Sequence, residues 1–184
     1  MRQIVSRYAG LASQDLHFSY GINGKPELSR GLEHRGVKFN LSHSADLALL
    51  AITHGLPVGV DIERINAQFA IDEIAKRFFS AIEVQILRAL PNADRTEAFF
   101  SCWTRKEAYL KAVGEGLSVP LDSFAVAFAP GIHGALLQVK ADPAEAGRWS
   151  MYNLEVKSGY RAALVVKGKD HHLQQREWNC SLLK

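Results

Sequence analysis

FFSCWTRKEAYLKAVGEGL (residues 99–117) reads as an amphipathic helix closed by a glycine pair, and one line along it is unexpectedly polar. Trp103, Glu107 and Lys111 recur at i, i+4 and i+8, so they share one slowly drifting stripe. Phe99, Phe100 and Leu110 flank that stripe, which marks it as directed at the core. A carboxylate there needs a partner, because an unpaired buried charge is too costly to keep ionised. Gly114 is a natural left-handed helix terminator. Two readings stand. Either Glu107 and Lys111 are a surface pair worth roughly a few tenths of a kcal/mol, or the stripe lines a site where the carboxylate meets a cation.

Outward from the helix, VGVDIERI (residues 58–65) is the segment that weighs on this choice. It alternates as a strand, with Val58, Val60 and Ile62 on one face and Asp61 and Glu63 on the other. The two carboxylates are then about 6.6 Å apart along the strand. A solvated outer sheet face explains them, and so does a bound cation. Asp61, Glu63 and Glu107 together would offer Mg²⁺ three hard oxygen ligands, with Lys111 one turn further on to meet phosphates that the cation bridges.

FNLSHS (residues 39–44), preceded by GKP (residues 24–26), is the third constellation. Ser42 and His43 are adjacent, so on extended chain they point apart, and no G-x-S-x-G elbow accompanies them. A serine hydrolase is disfavoured. Anion binding by Lys25, Ser42 and His43 suits the donors better, although a solvated turn lysine and a structural histidine explain Lys25 and His43 equally simply.

The remaining pattern is mixed. Residues 2–11 read as a short helix, 37–41 as a strand leading into a polar SHS loop, and 47–53 as a buried strand. Residues 72–79 form a further helix, and Ser80 with Glu83 forms a capping box for the next. Pro91 ends that helix, and Thr96 opens the long one. Strands follow at 124–128, 135–139, 149–156 and 160–167. FNLSHSADLALLAI (39–52) and YNLEVKSGYRAALVV (152–166) share an aromatic-Asn-Leu start and a later apolar strand. Two related halves, or chance, account for the echo.

The 184 residues, 47% of them apolar, suffice for one core or two small half-domains. The net charge of +3 and pI near 8.9 fall short of the clustered charge of a dedicated nucleic-acid binder. Cys102 and Cys180 have neither metal-ligand nor disulfide spacing, and Cys102 reads as a small core residue. There is no signal-peptide h-region and no run of the ~18 apolar residues a membrane span needs. A cytoplasmic location is expected.

GKP, FNLSHS, VGVDIE, AKRFFSAIE and FFSCWTRKEAYLKAVGEGLSVPLDSF, in this order, resemble the 4′-phosphopantetheinyl transferases, in particular the surfactin-synthetase-activating (Sfp-like) group. The resemblance implies an α/β (α+β) fold of two pseudo-symmetric halves with the site between them. They are expected at about residues 1–60 and 61–184, the first shortened at its N-terminus relative to family members of this size class. It implies transfer of 4′-phosphopantetheine from coenzyme A to a serine of an acyl or peptidyl carrier protein, with Mg²⁺ held by Asp61, Glu63 and Glu107. Lys111 then contacts phosphate, and Lys25, Ser42 and His43 contact the adenosine-phosphate end of coenzyme A. Glu83 corresponds to a glutamate that helps deprotonate the carrier serine, with Lys111 as the alternative base, and residues 66–79, with Phe69, Ile71 and Ile74, to the carrier-docking region. A monomer acting on neither nucleic acid nor membrane is expected. A Mg²⁺-dependent nucleotide pyrophosphate hydrolase and a catalytically idle carrier-binding module are the alternatives.

Overall fold

The computed structural model describes residues 1–21, 24–29, 31, 36–114 and 116–178. Cys180, and Glu115 in the glycine turn, lie outside the described residues. The chain begins with α1 (Arg2–Ala9), ended by Gly10 in the left-handed region, and a short hairpin of β1 (Phe18–Tyr20) and β2 (Pro26–Leu28). β3 (Val37–Ser44) and β4 (Leu47–His54) form an antiparallel hairpin. The polar SHS that pattern alone makes a loop belongs to β3, because Ser42 and Ser44 have partners on a neighbouring strand. β4 is half-buried rather than fully buried. Val5, Ala9, Leu16, Leu28, Val37 and Phe39 make a small core under this half.

β5 (Val58–Arg64) is the centre of the molecule. It pairs antiparallel with β9 (Tyr160–Lys167), which in turn pairs with β8 (Trp149–Asn153). A boundary between residues 60 and 61 therefore falls inside a strand. Between β5 and β8 the chain makes α2 (Ile71–Phe78), α3 (Ala81–Ala89), α4 (Asn92–Val113) and the hairpin of β6 (Phe124–Ala127) and β7 (Ala135–Val139). No helix among the described residues is long and apolar enough to cross a membrane.

α4 starts directly after Pro91 rather than at Thr96, runs 22 residues and ends on Gly114 at φ 86°. It lies on the face of the β5–β9–β8 sheet that carries Gly59, Asp61, Ala163 and Val165. The contact with β5 is backbone on backbone. A Cβ at Gly59 would stand 2.1 Å from the Ala108 carbonyl oxygen and 2.3 Å from the Ala112 nitrogen. Only glycine, facing two alanines of the helix, permits this approach. The other face of β5, with Val58, Val60 and Ile62, packs on Leu49, Ala51 and Leu164. A strand buried on both sides excludes the solvated outer face as the explanation of Asp61.

The two copies of the aromatic-Asn-Leu echo fall in two hairpins, the first inside β3 of β3/β4 and the second at the end of β8 in β8/β9. In each the asparagine ties its hairpin to another element: Asn40 Oδ1 accepts the Val60 amide of β5, and Asn153 Oδ1 accepts from Arg105 of α4.

Candidate active site

α4 is buried almost all round, by Phe99, Cys102, Arg105, Lys106, Ala108, Tyr109, Leu110 and Ala112. Trp103, Glu107 and Lys111 are its half-buried line. The polar stripe is thus the least buried line of the central part of the helix: Trp103 still packs on Phe78 and Phe99, while Glu107 and Lys111 keep partial exposure and most of the remaining circumference faces protein. The anomaly in the sequence is real and its sense is reversed.

At that line α4 meets β5 and β3. Asp61 is 3% exposed. Its Oδ1 accepts from Lys111 Nζ at 2.6 Å and from Ser42 Oγ at 2.9 Å, and Lys111 Nζ also reaches Ser42 Oγ at 3.0 Å. Its Oδ2 is buried and has no hydrogen-bond partner, one of two such side-chain atoms among the described residues. Glu63 is half-buried, with Oε2 accepting from Ser44 Oγ at 2.9 Å. Burial raises the proton affinity of Asp61, and the Lys111 ammonium opposes this. Glu63 is raised by burial and further by Asp61. Glu107 is raised by burial, then by Asp61 and, less, by Glu63. Glu107 thus feels the charges of Asp61 and Glu63, and Glu63 that of Asp61.

Among the described residues no three such groups stand close enough to share one cation. The carboxylates are neighbours rather than a closed cage, and Asp61 is balanced by Lys111. The donor set nevertheless fits a hard divalent cation: all three candidate ligands are oxygens, burial raises the proton affinity of each, and Asp61 keeps one buried oxygen without a hydrogen-bond partner.

Glu83 is elsewhere in function. It is fully buried at the start of α3, where the predicted capping box forms with Ser80. Its Oε1 accepts from Lys106 Nζ and the Val126 amide, both at 2.8 Å. Its Oε2 accepts from Lys106 Nζ at 2.6 Å and from the Ser80 amide and hydroxyl, both at 2.8 Å. A carboxylate with both oxygens occupied and no exposure has no route to a substrate proton, so its role is structural. Its partner Lys106, one residue before Glu107, carries no sequence signal of burial.

The anion-binding trio does not gather. Ser42 is buried and its oxygen is committed to Asp61, Lys111 and the Ile62 amide. His43 is exposed on the opposite face of β3. Lys25 alone lines a cleft, of about 350 Å³, between the first half and the end of α4. Its ammonium donates to the Lys111 carbonyl at 2.5 Å and the Val58 carbonyl at 3.3 Å, and burial lowers its pKa. Lys38, unremarked in the sequence, lines the same cleft. A larger cleft of about 710 Å³, beside Arg105 and residues 128–133, contains none of the expected site residues. Burial lowers the Arg105 pKa to about 10, and its donors go to Asn153 and to the Ala127 and Ile132 carbonyls.

The expected apolar docking side of residues 66–79 is turned inward. Ile71 and Ile74 pack on the main core, and Phe69 leans on Phe99 and Phe100 while remaining 43% exposed. Lys76 and Arg77 are exposed, as is Ile82 on α3.

A sequence model of the 4′-phosphopantetheinyl transferase superfamily matches residues 57–165, which include Asp61, Glu63, Glu107 and Lys111. The chain is 36% identical over 168 residues to the 4′-phosphopantetheinyl transferase HetI of Nostoc sp., covering 91% of this chain and 68% of that protein. It is 38% identical over 126 residues to the 4′-phosphopantetheinyl transferase Sfp of Bacillus subtilis, covering 68% of this chain and 54% of that one. It thus spans about two thirds of the first relative's length and about half of the second's. The holo-[acyl-carrier-protein] synthase of Thermotoga maritima shares the fold, with a TM-score of 0.50 at 21% identity over 62% of this chain and 65% of that one.

Proposed function

This chain belongs to the 4′-phosphopantetheinyl transferase superfamily, and from that premise we propose that it transfers 4′-phosphopantetheine from coenzyme A to a serine hydroxyl of an apo acyl or peptidyl carrier protein, releasing adenosine 3′,5′-bisphosphate. The observation that carries this reading is the charge coupling of Glu107 and Glu63 to Asp61, which Lys111 holds by one oxygen while Oδ2 stays buried and unpartnered.

Asp61, Glu63 and Glu107 would hold Mg²⁺, which when bound neutralises pyrophosphate charge and orients the leaving group. Lys111, tethered to Asp61 and 30% exposed at its side chain, turns its ammonium to the phosphates and offsets the charge that develops on them. Glu107 would supply the third ligand from α4, and the proton affinity that burial and Asp61 raise in it is what a bound cation would relieve. Lys25 and Lys38 line the adjoining cleft and favour the phosphate-bearing adenosine end of coenzyme A. Lys76 and Arg77, both exposed on α2, present a basic surface to an acidic carrier protein.

The test is the mass of an apo carrier protein incubated with the chain, coenzyme A and Mg²⁺. The expected outcome is a gain of one phosphopantetheine, abolished in Asp61→Ala. Cleavage of coenzyme A with no carrier modified would instead indicate a pyrophosphate hydrolase.

A further inference from the structure

β3 and β5 run side by side without a backbone ladder between them. One edge of β5 is paired with β9. On its other edge the amides of Val60, Ile62 and Arg64 are taken by side chains of β3: by Asn40 Oδ1 at 2.9 Å, Ser42 Oγ at 3.4 Å and Ser44 Oγ at 3.0 Å. The match is geometric, since side chains at i, i+2 and i+4 of one strand and alternate amides of the next both repeat at about 6.6–6.8 Å.

The three rungs are not equivalent. Asn40 only accepts an amide. Each serine accepts an amide and also donates to the carboxylate on the preceding residue of β5, Ser42 to Asp61 and Ser44 to Glu63. The direction is forced: a carboxylate has no proton to give, and the Ser42 oxygen already receives the Lys111 ammonium. Ser42 thereby ties up Asp61 Oδ1 and leaves Oδ2 bare.

We propose that Ser42 and Ser44 are positioning residues, which aim the Asp61 and Glu63 carboxylates at the cation while joining the first half of the molecule to β5. The proposal rests on the reading of Asp61, Glu63 and Glu107 as cation ligands. It makes the joint between the halves and the aim of the ligands one device, because the same hydroxyl serves both. Hydrogen-bond partners that orient ligands are typically worth about 10–100-fold in metal affinity.

The experiment is titration of the metal-free chain with Mn²⁺, followed by electron paramagnetic resonance of the free ion, with thermal melting of each variant in parallel. Ser42→Ala and Ser44→Ala should each weaken Mn²⁺ binding by roughly 10–100-fold. Ser44→Thr, which keeps the hydroxyl, should bind like the parent. Asn40→Ala should lower the melting temperature and leave Mn²⁺ binding unchanged. If Ser44→Ala binds Mn²⁺ like the parent, or Asn40→Ala weakens it as much as the serine variants do, the positioning role is overturned and the ligand assignment survives. If the parent takes up no Mn²⁺, or takes it up as well after Asp61→Asn, the ligand assignment itself falls.

Discussion

Lys106 and Lys111 lie on the same helix, and each ammonium stands 2.6 Å from a carboxylate oxygen, yet the two pairs serve opposite ends. The Lys106–Glu83 pair has no exposure and no spare valence. The ammonium gives its three protons to both glutamate oxygens and the Phe124 carbonyl, and the glutamate collects Ser80 and Val126 besides. It pins α3, α4 and β6 together. The Lys111–Asp61 pair is complete on one oxygen and empty on the other, with the lysine partly in solvent. Charge alone does not separate structure from chemistry here. Saturation does: a fully satisfied buried pair can only hold, whereas a half-satisfied one at a cleft can exchange its partner for a ligand.

The largest effect expected from breaking this contrast is at Lys106. Lys106→Met leaves Glu83 charged and buried, a change that costs about 3–5 kcal/mol. At about 2–4 °C per kcal/mol for a chain of this size, that is roughly 6–20 °C in melting temperature. Adding Glu83→Leu should recover part of the loss, and the double variant should still modify a carrier protein below its melting point. A well-folded double variant with no transfer activity would return Glu83 to the chemistry.

Lys111→Met should do the reverse. Transfer should fall by about 10²–10³-fold, the scale of losing one stabiliser of developing charge. The melting temperature should fall less than in Lys106→Met, because Asp61 keeps the Ser42 hydroxyl and the lysine end of this pair is partly wet. A collapse in stability comparable to that of Lys106→Met would erase the distinction between the pairs.

The smallest effect expected is a pH-dependent one at Glu107. Its proton affinity is raised in the folded state, chiefly by burial and then by Asp61. The folded chain therefore holds more protons than the unfolded one just above the ordinary carboxylate range, and this residue's contribution to stability falls as pH rises through that window. Glu107→Gln, melted in EDTA, should be more stable than the parent at neutral pH and equal to it below the ordinary carboxylate range. A gain that persists unchanged into acid would mean the effect is not electrostatic.

These contrasts also mark how far the sequence carries. Short-range pattern specifies β5 and the shared face of Asp61 and Glu63, because strand alternation is set by the backbone. It specifies the Ser80–Glu83 box and the Gly114 stop, because caps involve residues within one turn. It places Glu107 and Lys111 on one line of α4, because helical spacing is local, and the order of motifs is enough for the family. Which way that line faces is another matter. A helix buried on most of its circumference has no single apolar stripe, so Arg105 and Lys106 go inside and the half-buried side is recognised only once β5, β6 and β8 surround it. The same holds for Glu83, whose capping chemistry is legible and whose ammonium partner, on another helix, is not. It holds for Ser42, whose donor set suits a phosphate until tertiary packing commits it to Asp61 and to an amide of β5. Contacts between residues far apart in the chain depend on how two elements meet, and here the meeting is decided by a glycine against two alanines and a row of short polar side chains.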